Sequence, residues 1–322
     1  MEKNLFDKAV ATEYYEQLYA EGYMADWPLD KKQRVFEVIR GLGLPPTGRA
    51  LEFGCGNGVF TEVIKKALPG WEVYGSDIST VAIATARGRY PECTFFVAGD
   101  PAFAGQRFDL LLTHHVLEHV YDIEEIAREM AALVTGRGRM LHILPCGNPG
   151  SFEYNLCRLR TDGINTAVQN RFFFEDEGHV RRLDTDRLAA LLAPHGFGLR
   201  QEYYSNQYFG ALKWIASYDK PFIYRLTDPG KALSGAASLQ LRWLRAKLLF
   251  VKRAREVAKA RLAKGSGLSR LKRLAVYPFF WTLKRGAGLV TSYYNHNAQR
   301  EWERKKNQRN GSEMYLYFSR EQ

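Results

Sequence analysis

A glycine-rich turn between a predicted strand and a predicted helix constrains the fold of this chain more than any other segment. Residues 50–53 predict a short buried strand with an acidic residue, Glu52, near its end, and residues 59–68 predict a helix. Glycines occupy alternate positions between them, at Gly54, Gly56 and Gly58. Glycine allows the sharp turn and the close main-chain approach that a bound ligand needs. The dinucleotide pattern G-x-G-x-x-G is excluded, because its third glycine would fall at Val59.

Predicted strands and helices alternate along most of the chain. Apolar runs predict strands at 71–77, 94–100, 108–113, 139–145, 197–204 and 313–319. Helical patterns predict helices at 79–89, 123–134 and 184–195, and two more within residues 12–44. Such alternation indicates a parallel sheet with right-handed crossovers, which binds ligands at the carboxyl ends of its strands. The expected fold class is therefore α/β, with a doubly wound, seven-stranded, mostly parallel sheet.

Charge is distributed unevenly along the 322 residues. Residues 211–310 contain 23 Lys and Arg against 5 Asp and Glu, a net charge of +18. The rest of the chain contains 46 − 23 = 23 basic and 35 − 5 = 30 acidic residues, a net charge of −7. A basic block of this kind indicates a polyanionic partner. We therefore divide the chain into a core with an N-terminal helical lid (1–210), a basic helical insertion (211–310) and the last strand of the sheet (311–322).

The order E-x-G-x-G-x-G, followed by acids at two later strand ends, resembles motif I and its surroundings in class I S-adenosylmethionine (SAM) dependent methyltransferases. This resemblance implies a Rossmann-like fold that binds SAM. It places Asp77 at the ribose hydroxyls, Asp100 near the adenine amino group, and an aromatic side chain of the first helix, Tyr14 or Tyr15, over the cofactor. The cofactor-binding residues expected are Glu52, Gly54, Cys55, Gly56, Asn57, Gly58, Asp77, Ile78, Asp100, Thr113, His114 and Tyr14.

A histidine- and glutamate-rich segment, His115-Val-Leu-Glu-His119, directly follows the fourth predicted strand. Its spacing would place His115, Glu118 and His119 on one face of a helix. Together with His179, it resembles the ubiquinone-biosynthesis O-methyltransferases and the small-RNA 3′-terminal 2′-O-methyltransferases. In those families four side chains at these positions hold a divalent cation, but the first is a glutamate where this chain has His115. Three imidazoles and one carboxylate favour Zn, Fe, Co or Mn over Mg.

Three interpretations of this segment remain open. Methyl transfer to a hydroxyl needs a base or a metal that lowers its pKa. Either a metal held by His115, Glu118, His119 and His179, or His115 or His119 acting directly as a base, would serve. The same residues could instead make structural hydrogen bonds only. Arg181 and Arg182 follow closely, and could hold an anionic part of the substrate or lie in solvent.

The basic insertion predicts a long amphipathic helix over 239–264 and a second helical piece over 268–285. Leu241, Leu244, Leu248 and Val251 form an apolar line on the first helix, with Trp243 and Phe250 beside it. Basic amphipathic helices with aromatic edges bind anionic membrane surfaces, and we expect residues 239–285 to do so. RNA binding is the less favoured alternative. An ordinary helical subdomain with a solvated basic face is the third.

These patterns predict O-methylation of a hydroxyl on a lipophilic or lipid-linked acceptor, such as a quinone-like ring or a lipid-linked sugar. An RNA 2′-O-methyltransferase and a non-catalytic SAM-binding protein are the alternatives. The first residues contain no apolar stretch typical of a signal peptide, and no apolar run approaches the length that spans a bilayer. The four cysteines show no metal-finger spacing. We therefore expect a cytoplasmic protein that associates peripherally with the membrane.

Overall fold

The computed structural model describes residues 8–176, 178–260 and 270–321, and for residues 8–11 and 270–280 the backbone alone. It divides into two compact units. Unit 1 contains the described residues of 1–145, 177–202 and 314–322, and unit 2 contains those of 146–176 and 203–313. Residues 146–176, which the sequence analysis assigned to the core, thus group with the insertion, because they pack into its hydrophobic core through Leu156 and its neighbours.

The described elements follow one another in chain order. The helices are α1 (Lys8–Ala20), α2 (Leu29–Gly41), α3 (Val59–Ala67), α4 (Thr80–Arg89), α5 (Ile123–Leu133), α6 (Phe152–Cys157), α7 (Thr185–Leu192), α8 (Phe209–Ile215), α9 (Lys220–Leu226), α10 (Gly235–Lys259) and α11 (Arg270–Lys305). The strands are β1 (Arg49–Phe53), β2 (Glu72–Asp77), β3 (Thr94–Val97), β4 (Phe108–His114), β5 (Val134–Pro145), β6 (Ile164–Asn165), β7 (Arg171–Phe172), β8 (Phe197–Ser205) and β9 (Glu313–Arg320).

The seven-stranded sheet has the order β3-β2-β1-β4-β5-β9-β8. The pairs β1/β2, β1/β4, β2/β3 and β4/β5 are parallel. At its centre, Leu110, Leu111 and Leu112 of β4 are fully buried, as expected for a strand covered by helices on both faces. The expected fold class is confirmed, and β9, from the far end of the chain, lies between β5 and β8.

The loop after β5 is more regular than the sequence indicated. The predicted irregular connection over 146–182 contains α6 and a small antiparallel hairpin formed by β6 and β7. Ser151 caps α6, because its side chain accepts a hydrogen bond from the amide of Tyr154 at 3.2 Å. The predicted Asp184 cap of α7 is present in the same way, with the amide of Arg187 as donor.

Unit 2 is built around the apolar line predicted on the basic helix. Leu241, Leu248 and Val251 are buried in one cluster with residues of α8 and α9, and Leu244 packs against that cluster. This face of α10 therefore faces the protein interior and is closed to a lipid surface. Helix α10 is described as far as Lys259; the predicted continuation over 261–264 and the predicted start of the second piece at 268–269 lie outside the described residues.

None of the described helices combines the length and apolar character that crossing a bilayer requires.

Candidate functional site

The glycine turn after β1 adopts backbone angles that glycine favours. Gly54, Gly56 and Gly58 have φ values of +74°, +49° and +77°. The amides of Gly54 and Cys55 donate to the carbonyl of Ser76 at 2.8 and 2.9 Å, which fixes the turn against the end of β2. The turn is therefore tied to the end of the neighbouring strand by two main-chain hydrogen bonds.

Asp77 connects the glycine turn to the helix that follows β2. Its Oδ2 accepts a hydrogen bond from the amide of Gly56 at 2.8 Å, and its Oδ1 accepts one from the amide of Ser79 at 3.0 Å. Burial raises the pKa of Asp77, while the amide donors, those of Ser79 and Gly56 first, oppose that rise. Asp77 lies at the carboxyl end of its strand, in the position from which a carboxylate can contact ribose hydroxyls.

Glu52 is buried one residue before the end of β1. Its carboxylate accepts a hydrogen bond from the hydroxyl of Thr61 on α3. Burial raises its pKa to about 8, the bond from Thr61 opposes that rise, and the charge of Asp77 adds to it. Glu52 and Asp77 thus form a buried acidic pair at the carboxyl edge of the sheet.

Helix α1 covers the glycine turn through a tyrosine that sequence analysis did not select. A Cβ atom placed on Gly56 would lie 2.6 Å from the hydroxyl oxygen of Tyr19. Burial raises the pKa of Tyr19, and the charge of Asp77 raises it further. Tyr14, one of the expected cofactor contacts, packs edge-on against Tyr15. Tyr15, Tyr19 and Tyr23 are spaced by four residues, and this spacing was the signal that could have identified Tyr19.

Glu16 fixes α1 on the N-terminus of α4. Its Oε1 accepts hydrogen bonds from the amide and the hydroxyl of Thr80, both at 2.7 Å. Its Oε2 accepts from the hydroxyl of Ser79 at 2.8 Å and from the amide of Val81 at 3.0 Å. A carboxylate that accepts from free amides at a helix N-terminus acts as a cap supplied by another element.

The other predicted cofactor residues occupy varied positions around this cleft. Asn57 donates to the carbonyl of Tyr23 at 3.1 Å, and the hydroxyl of Thr113 pairs with Nδ1 of His142 at 2.8 Å. Cys55 is buried against Phe95, and Ile78 follows Asp77 directly. Strand β3 ends at Val97, so Asp100 lies beyond the strand and not at its tip as predicted; its carboxylate caps a short 3₁₀ turn by accepting from the amide of Ala102.

The segment 115–119 forms a turn, and the prediction that it is helical is wrong. His115 has a φ of +54°, outside the helical region. The amide of His115 still donates to the carbonyl of Ile143 at 2.8 Å, and the amide of His119 closes a tight turn on the carbonyl of Val116 at 2.9 Å. The pairing of β4 with β5 thus extends one residue past the end of β4, and the chain reverses there instead of entering a helix.

This turn packs directly on the glycine turn. A Cβ atom on Gly54 would lie 2.5 Å from a methyl carbon of Val116. The ring of His114 packs on that of Phe60, 3.8 Å between centroids, and Trp27 lies beside both His114 and His115. Burial holds the pKa of His114 well below its usual range. The histidines after β4 are therefore part of the same cleft as the predicted SAM loop.

Glu118 lies between the histidines of the segment. His115 Nδ1 is 3.0 Å from Glu118 Oε1, and the side chain of Glu118 is almost fully buried. Burial alone would raise the pKa of Glu118, but the hydrogen bond from His115 and the nearby imidazoles lower it to about 2. Burial lowers the pKa of His115 to about 4. At neutral pH the pair is therefore an ionised carboxylate beside a neutral imidazole, 3.0 Å apart.

His119 and His179 complete a group of potential metal ligands. Ligand atoms of Glu118, His119 and His179 all lie within 4.8 Å of one another. His119 Nδ1 is 3.0 Å from the carbonyl of Gly178, which can only accept, so Nδ1 is protonated and Nε2 is the basic nitrogen. A second-sphere bond of this kind is typical of metal-binding histidines. Both carboxylate oxygens of Glu118 are buried, and neither has a hydrogen-bond partner of good geometry among the described residues.

These observations fit a divalent cation held by one carboxylate and two imidazoles. His115, the fourth predicted ligand, stands outside the group and contacts it through Glu118. The amide of Val180 donates to the carbonyl of Glu118 at 2.9 Å, which brings the segment of His179 to the turn after β4.

Arg181 has a structural environment and not the substrate-facing one that sequence allowed. It is buried, and its guanidinium donates to the carbonyls of Leu117 and Tyr121 at 3.3 and 2.7 Å. It thereby holds the turn that carries Glu118 and His119. Arg182 is buried as well.

Lys31 is a second residue that sequence analysis missed. It is buried, with its Nζ 5.5 Å from the ring centre of Trp27 and 5.7 Å from that of Tyr315. Burial lowers its pKa well below the usual range, Arg34 adds to that shift, and Glu118 opposes it. From sequence alone, a lysine in the first turn of an amphipathic helix is expected to be exposed to solvent. The sequence therefore carried no indication that Lys31 is buried.

Comparisons with known proteins identify the family of this chain. A family profile described as "Methyltransferase domain" matches residues 20–202, more than half of the chain. A trans-aconitate 2-methyltransferase of Variovorax paradoxus is 34% identical over 103 residues, 31% of this chain and 40% of that protein. A ubiquinone biosynthesis O-methyltransferase of Mesorhizobium japonicum is 35% identical over 98 residues, 29% of this chain and 39% of that protein. The chain thus spans about two fifths of the length of these relatives.

Among solved structures, the magnesium protoporphyrin IX methyltransferase of Synechocystis PCC 6803 with bound SAH is similar in fold. It is 20% identical, with a TM-score of 0.47, over 62% of this chain and 94% of that one. The family match, together with the seven-stranded sheet and its glycine turn, shows that the chain belongs to the class I SAM-dependent methyltransferases.

Proposed function

We propose that this methyltransferase transfers the methyl group of SAM to a hydroxyl oxygen of a lipophilic or lipid-linked acceptor at a membrane surface. The observation that supports it best is the group of a buried Glu118 and the half-buried His115, His119 and His179, packed on the glycine turn through Val116. A hydroxyl is a weak nucleophile at neutral pH, and these side chains can remove its proton.

SAM supplies an electrophilic methyl group, and the chain's own residues must position the acceptor and take its proton. His115 Nδ1 lies 3.0 Å from the carboxylate of Glu118, which favours the tautomer protonated on Nδ1 and makes Nε2 the basic nitrogen of that ring. The carboxylate of Glu118 fixes this tautomer and stabilises the imidazolium that forms when Nε2 takes up a proton. Trp27 packs against His115 and helps to exclude water from the cleft.

A divalent cation would bind at Glu118, His119 and His179, with Zn, Fe, Co or Mn favoured by the donor set. Such an ion would lower the pKa of the acceptor hydroxyl. His115 would then orient Glu118. The metal and the direct base are two versions of one proposal, because both ionise the same hydroxyl.

Two observations support a lipophilic acceptor at a membrane. Several relatives are ubiquinone biosynthesis O-methyltransferases. The region 211–310 has a net charge of +18, which favours an anionic surface. We place the contact with anionic lipid on the exposed side of residues 239–285, since the apolar line of α10 is buried in unit 2.

The test is methyl transfer from labelled SAM to a prenylated catechol, to its dimethyl ether and to a short RNA. We expect product with the catechol alone. His115→Gln should lower kcat by about a hundredfold, in the range of general base catalysis. His296→Gln, at an exposed histidine of α11, is the matched control and should retain activity. Transfer to RNA alone, or only to carboxylate acceptors, would refute the proposal.

Metal content distinguishes the two versions. Elemental analysis of the purified protein should give about one equivalent of Zn, Fe, Co or Mn if the ion is present, and His179→Ala should lose it while His296→Ala keeps it. Absence of bound metal, with no gain of activity on adding divalent cations, would leave His115 as a plain base. Sedimentation of the protein with anionic vesicles, compared with an RNA gel shift, tests whether it binds a membrane surface or RNA.

A further inference from the structure

Helix α10 has a second apolar stripe, on a side that the core of unit 2 does not use. Leu239, Trp243 and Phe250 are 57%, 70% and 57% exposed. Their separations of four and seven residues place them on one face of the helix. Exposed Trp and Phe at helical spacing are costly to leave in water, and a contiguous patch of them marks a binding surface.

This stripe forms one wall of a groove that lies wholly within unit 2. The opposite wall comes from α6 and the residues after it, with Phe152, Leu156 and Leu159, and the groove is closed by Tyr208 and Tyr294. Its volume is about 1140 Å³. Pockets of drug-sized ligands occupy roughly 300–1,000 Å³, so this groove has room for a long flexible molecule.

The charges that line the groove are positive. Arg158 and Lys247 contribute to its lining, and none of the described residues that line it is acidic. Lys247 donates to the hydroxyl of Tyr208, and its Nζ lies 5.3 Å from the centre of that ring. An occupant therefore needs an apolar body and at least one negative charge.

The length of the apolar wall further indicates which kind of molecule the groove holds. Leu239 and Phe250 are eleven residues apart, which corresponds to about 16 Å along a helix. One leaflet of a bilayer has a hydrocarbon thickness of about 15 Å, half of the ~30 Å core. The wall is therefore as long as one acyl chain. A partner helix could make the same apolar contacts, but it would need acidic side chains opposite both Arg158 and Lys247, whereas one anionic headgroup supplies that charge by itself.

We propose that this groove binds one molecule of an anionic lipid. The acyl chain lies along Leu239, Trp243 and Phe250, and the phosphate or carboxylate headgroup is paired with Arg158 and Lys247. The inference deepens the proposed contact with anionic lipid and rests on it, because it assigns to unit 2 one lipid site that needs neither SAM nor the residues after β4. Its occupant is a lipid of the membrane and not the methyl acceptor.

The test is calorimetric titration of the full chain, without SAM, with lauroyl lysophosphatidate below its critical micelle concentration. Lauroyl lysophosphatidylcholine has the same chain without net charge, and glycerol phosphate has the charge without the chain. We expect saturable binding of one lysophosphatidate per chain, weaker binding of the choline lipid, and none of glycerol phosphate. Quenching or shift of tryptophan fluorescence provides a second readout.

Matched variants assign the site. Trp243→Ala should weaken binding at least about tenfold, as expected from losing the burial of a large apolar side chain. Trp281→Ala removes a similarly exposed tryptophan of α11 that does not line the groove, and should bind as the wild type. Lys247→Glu should remove most of the preference for lysophosphatidate over the choline lipid. Both tryptophans are exposed, so neither variant threatens folding.

Two results would overturn the inference: no saturable binding of lysophosphatidate, or equal loss of binding in Trp243→Ala and Trp281→Ala. Either would leave methyl transfer to a hydroxyl untouched, because no methyl transfer is measured, and would bear only on the contact with lipid. Conversely, lipid binding that persists in a His115→Gln variant would stand even if the methyl acceptor proved to be different.

Discussion

At the scale of single residues, the cleft depends on positions where the backbone or a neighbour leaves no freedom. Gly54 and Gly56 combine positive φ with neighbours that fill the space of a side chain: Val116 at the first and Tyr19 at the second. His115 adopts a φ of +54° without being glycine, next to its bond with Glu118. Non-glycine residues in this region cost free energy and concentrate at functional sites. Strain and close packing thus coincide where the chemistry is expected.

Gly56→Ala tests this description. The new methyl would meet the hydroxyl of Tyr19, and the backbone at φ +49° would be strained. We expect the free energy of unfolding to fall by about 1–2 kcal/mol, the usual cost of a left-handed conformation for a residue with a Cβ. SAM affinity should fall at the same time. Urea unfolding and calorimetric titration with SAM measure the two effects.

Gly88→Ala is the control for that experiment. Gly88 lies in α4 with no atom within 4 Å of the position of a Cβ, so alanine there should leave SAM affinity unchanged and raise stability slightly. Equal behaviour of the two variants would contradict the proposed role of the turn.

At the scale of secondary-structure elements, the carboxylate of Glu16 holds α1 on the N-terminus of α4. Burial alone would raise the pKa of Glu16, but the hydrogen bonds from Thr80, Val81 and Ser79 together outweigh it and lower the pKa from 4.5 to about 2. A carboxyl whose pKa is lower in the folded state stabilises the fold above its unfolded pKa. The contribution of Glu16 is therefore fully present above about pH 4.5, and is lost as the pH falls towards 2.

Hydrogen exchange of the α1 amides measures this contribution. At pH 7, Glu16→Gln should speed their exchange about fivefold relative to wild type, equivalent to the ~1 kcal/mol of a lost helix cap. The ratio should shrink as the pH approaches 2, where the wild-type carboxyl is protonated too. Glu13→Gln, at an exposed position of the same helix, should change little. A pH-independent ratio for Glu16→Gln would rule out the charge as its cause.

The two apolar faces of α10 have different consequences for stability. Leu248 is fully buried in the core of unit 2, whereas Phe250 is 57% exposed. Leu248→Ala should lower the stability of α10 by about 2–5 kcal/mol because it leaves a cavity, and Phe250→Ala should change it by less than about 0.5 kcal/mol. Hydrogen exchange of the α10 amides reports both values. Similar losses in the two variants would mean that both faces are packed.

At the scale of the whole molecule, the sheet is completed by residues from the far end of the chain. Strand β9 lies between β5 and β8, and Met314, Tyr315, Leu316 and Phe318 are buried. Residues 206–312 therefore form an insertion in the chain between the last two strands of the sheet. Folding of the sheet requires pairing across this insertion, which is a contact of high sequence separation.

Deletion of residues 313–322 tests the dependence of the sheet on β9. Without it, β8 has no neighbour in the sheet and the edge of β5 is open. We expect the shortened chain to lose cooperative thermal unfolding and SAM binding, as followed by circular dichroism and calorimetry. Deletion of residues 321–322 alone should have neither effect. A chain ending at 312 that melts and binds SAM normally would contradict this account of the sheet.

The sequence by itself determined the sheet and the position of the cleft. Alternating apolar strands and helices, the glycine turn and the acids Glu52 and Asp77 are local patterns, and local patterns follow from chain geometry. The insertion before the last strand was predictable for the same reason, since residues 313–319 were the remaining apolar strand. The family resemblance further predicted that His179 would join the segment after β4.

Tertiary structure alone decided which side chains meet in the cleft. The segment 115–119 has helical spacing, yet pairing of His115 with β5 and its left-handed φ make it a turn. The contact of Tyr19 with the glycine turn and the burial of Lys31 depend on how α1 and α2 pack, which no local pattern encodes. From the sequence, the apolar line of α10 could face lipid or protein equally well. In the structure it packs against residues of α8 and α9 in the core of unit 2. Hydrophobic burial is non-directional, so the sequence of an amphipathic helix predicts that its apolar face will be buried but not which surface will bury it.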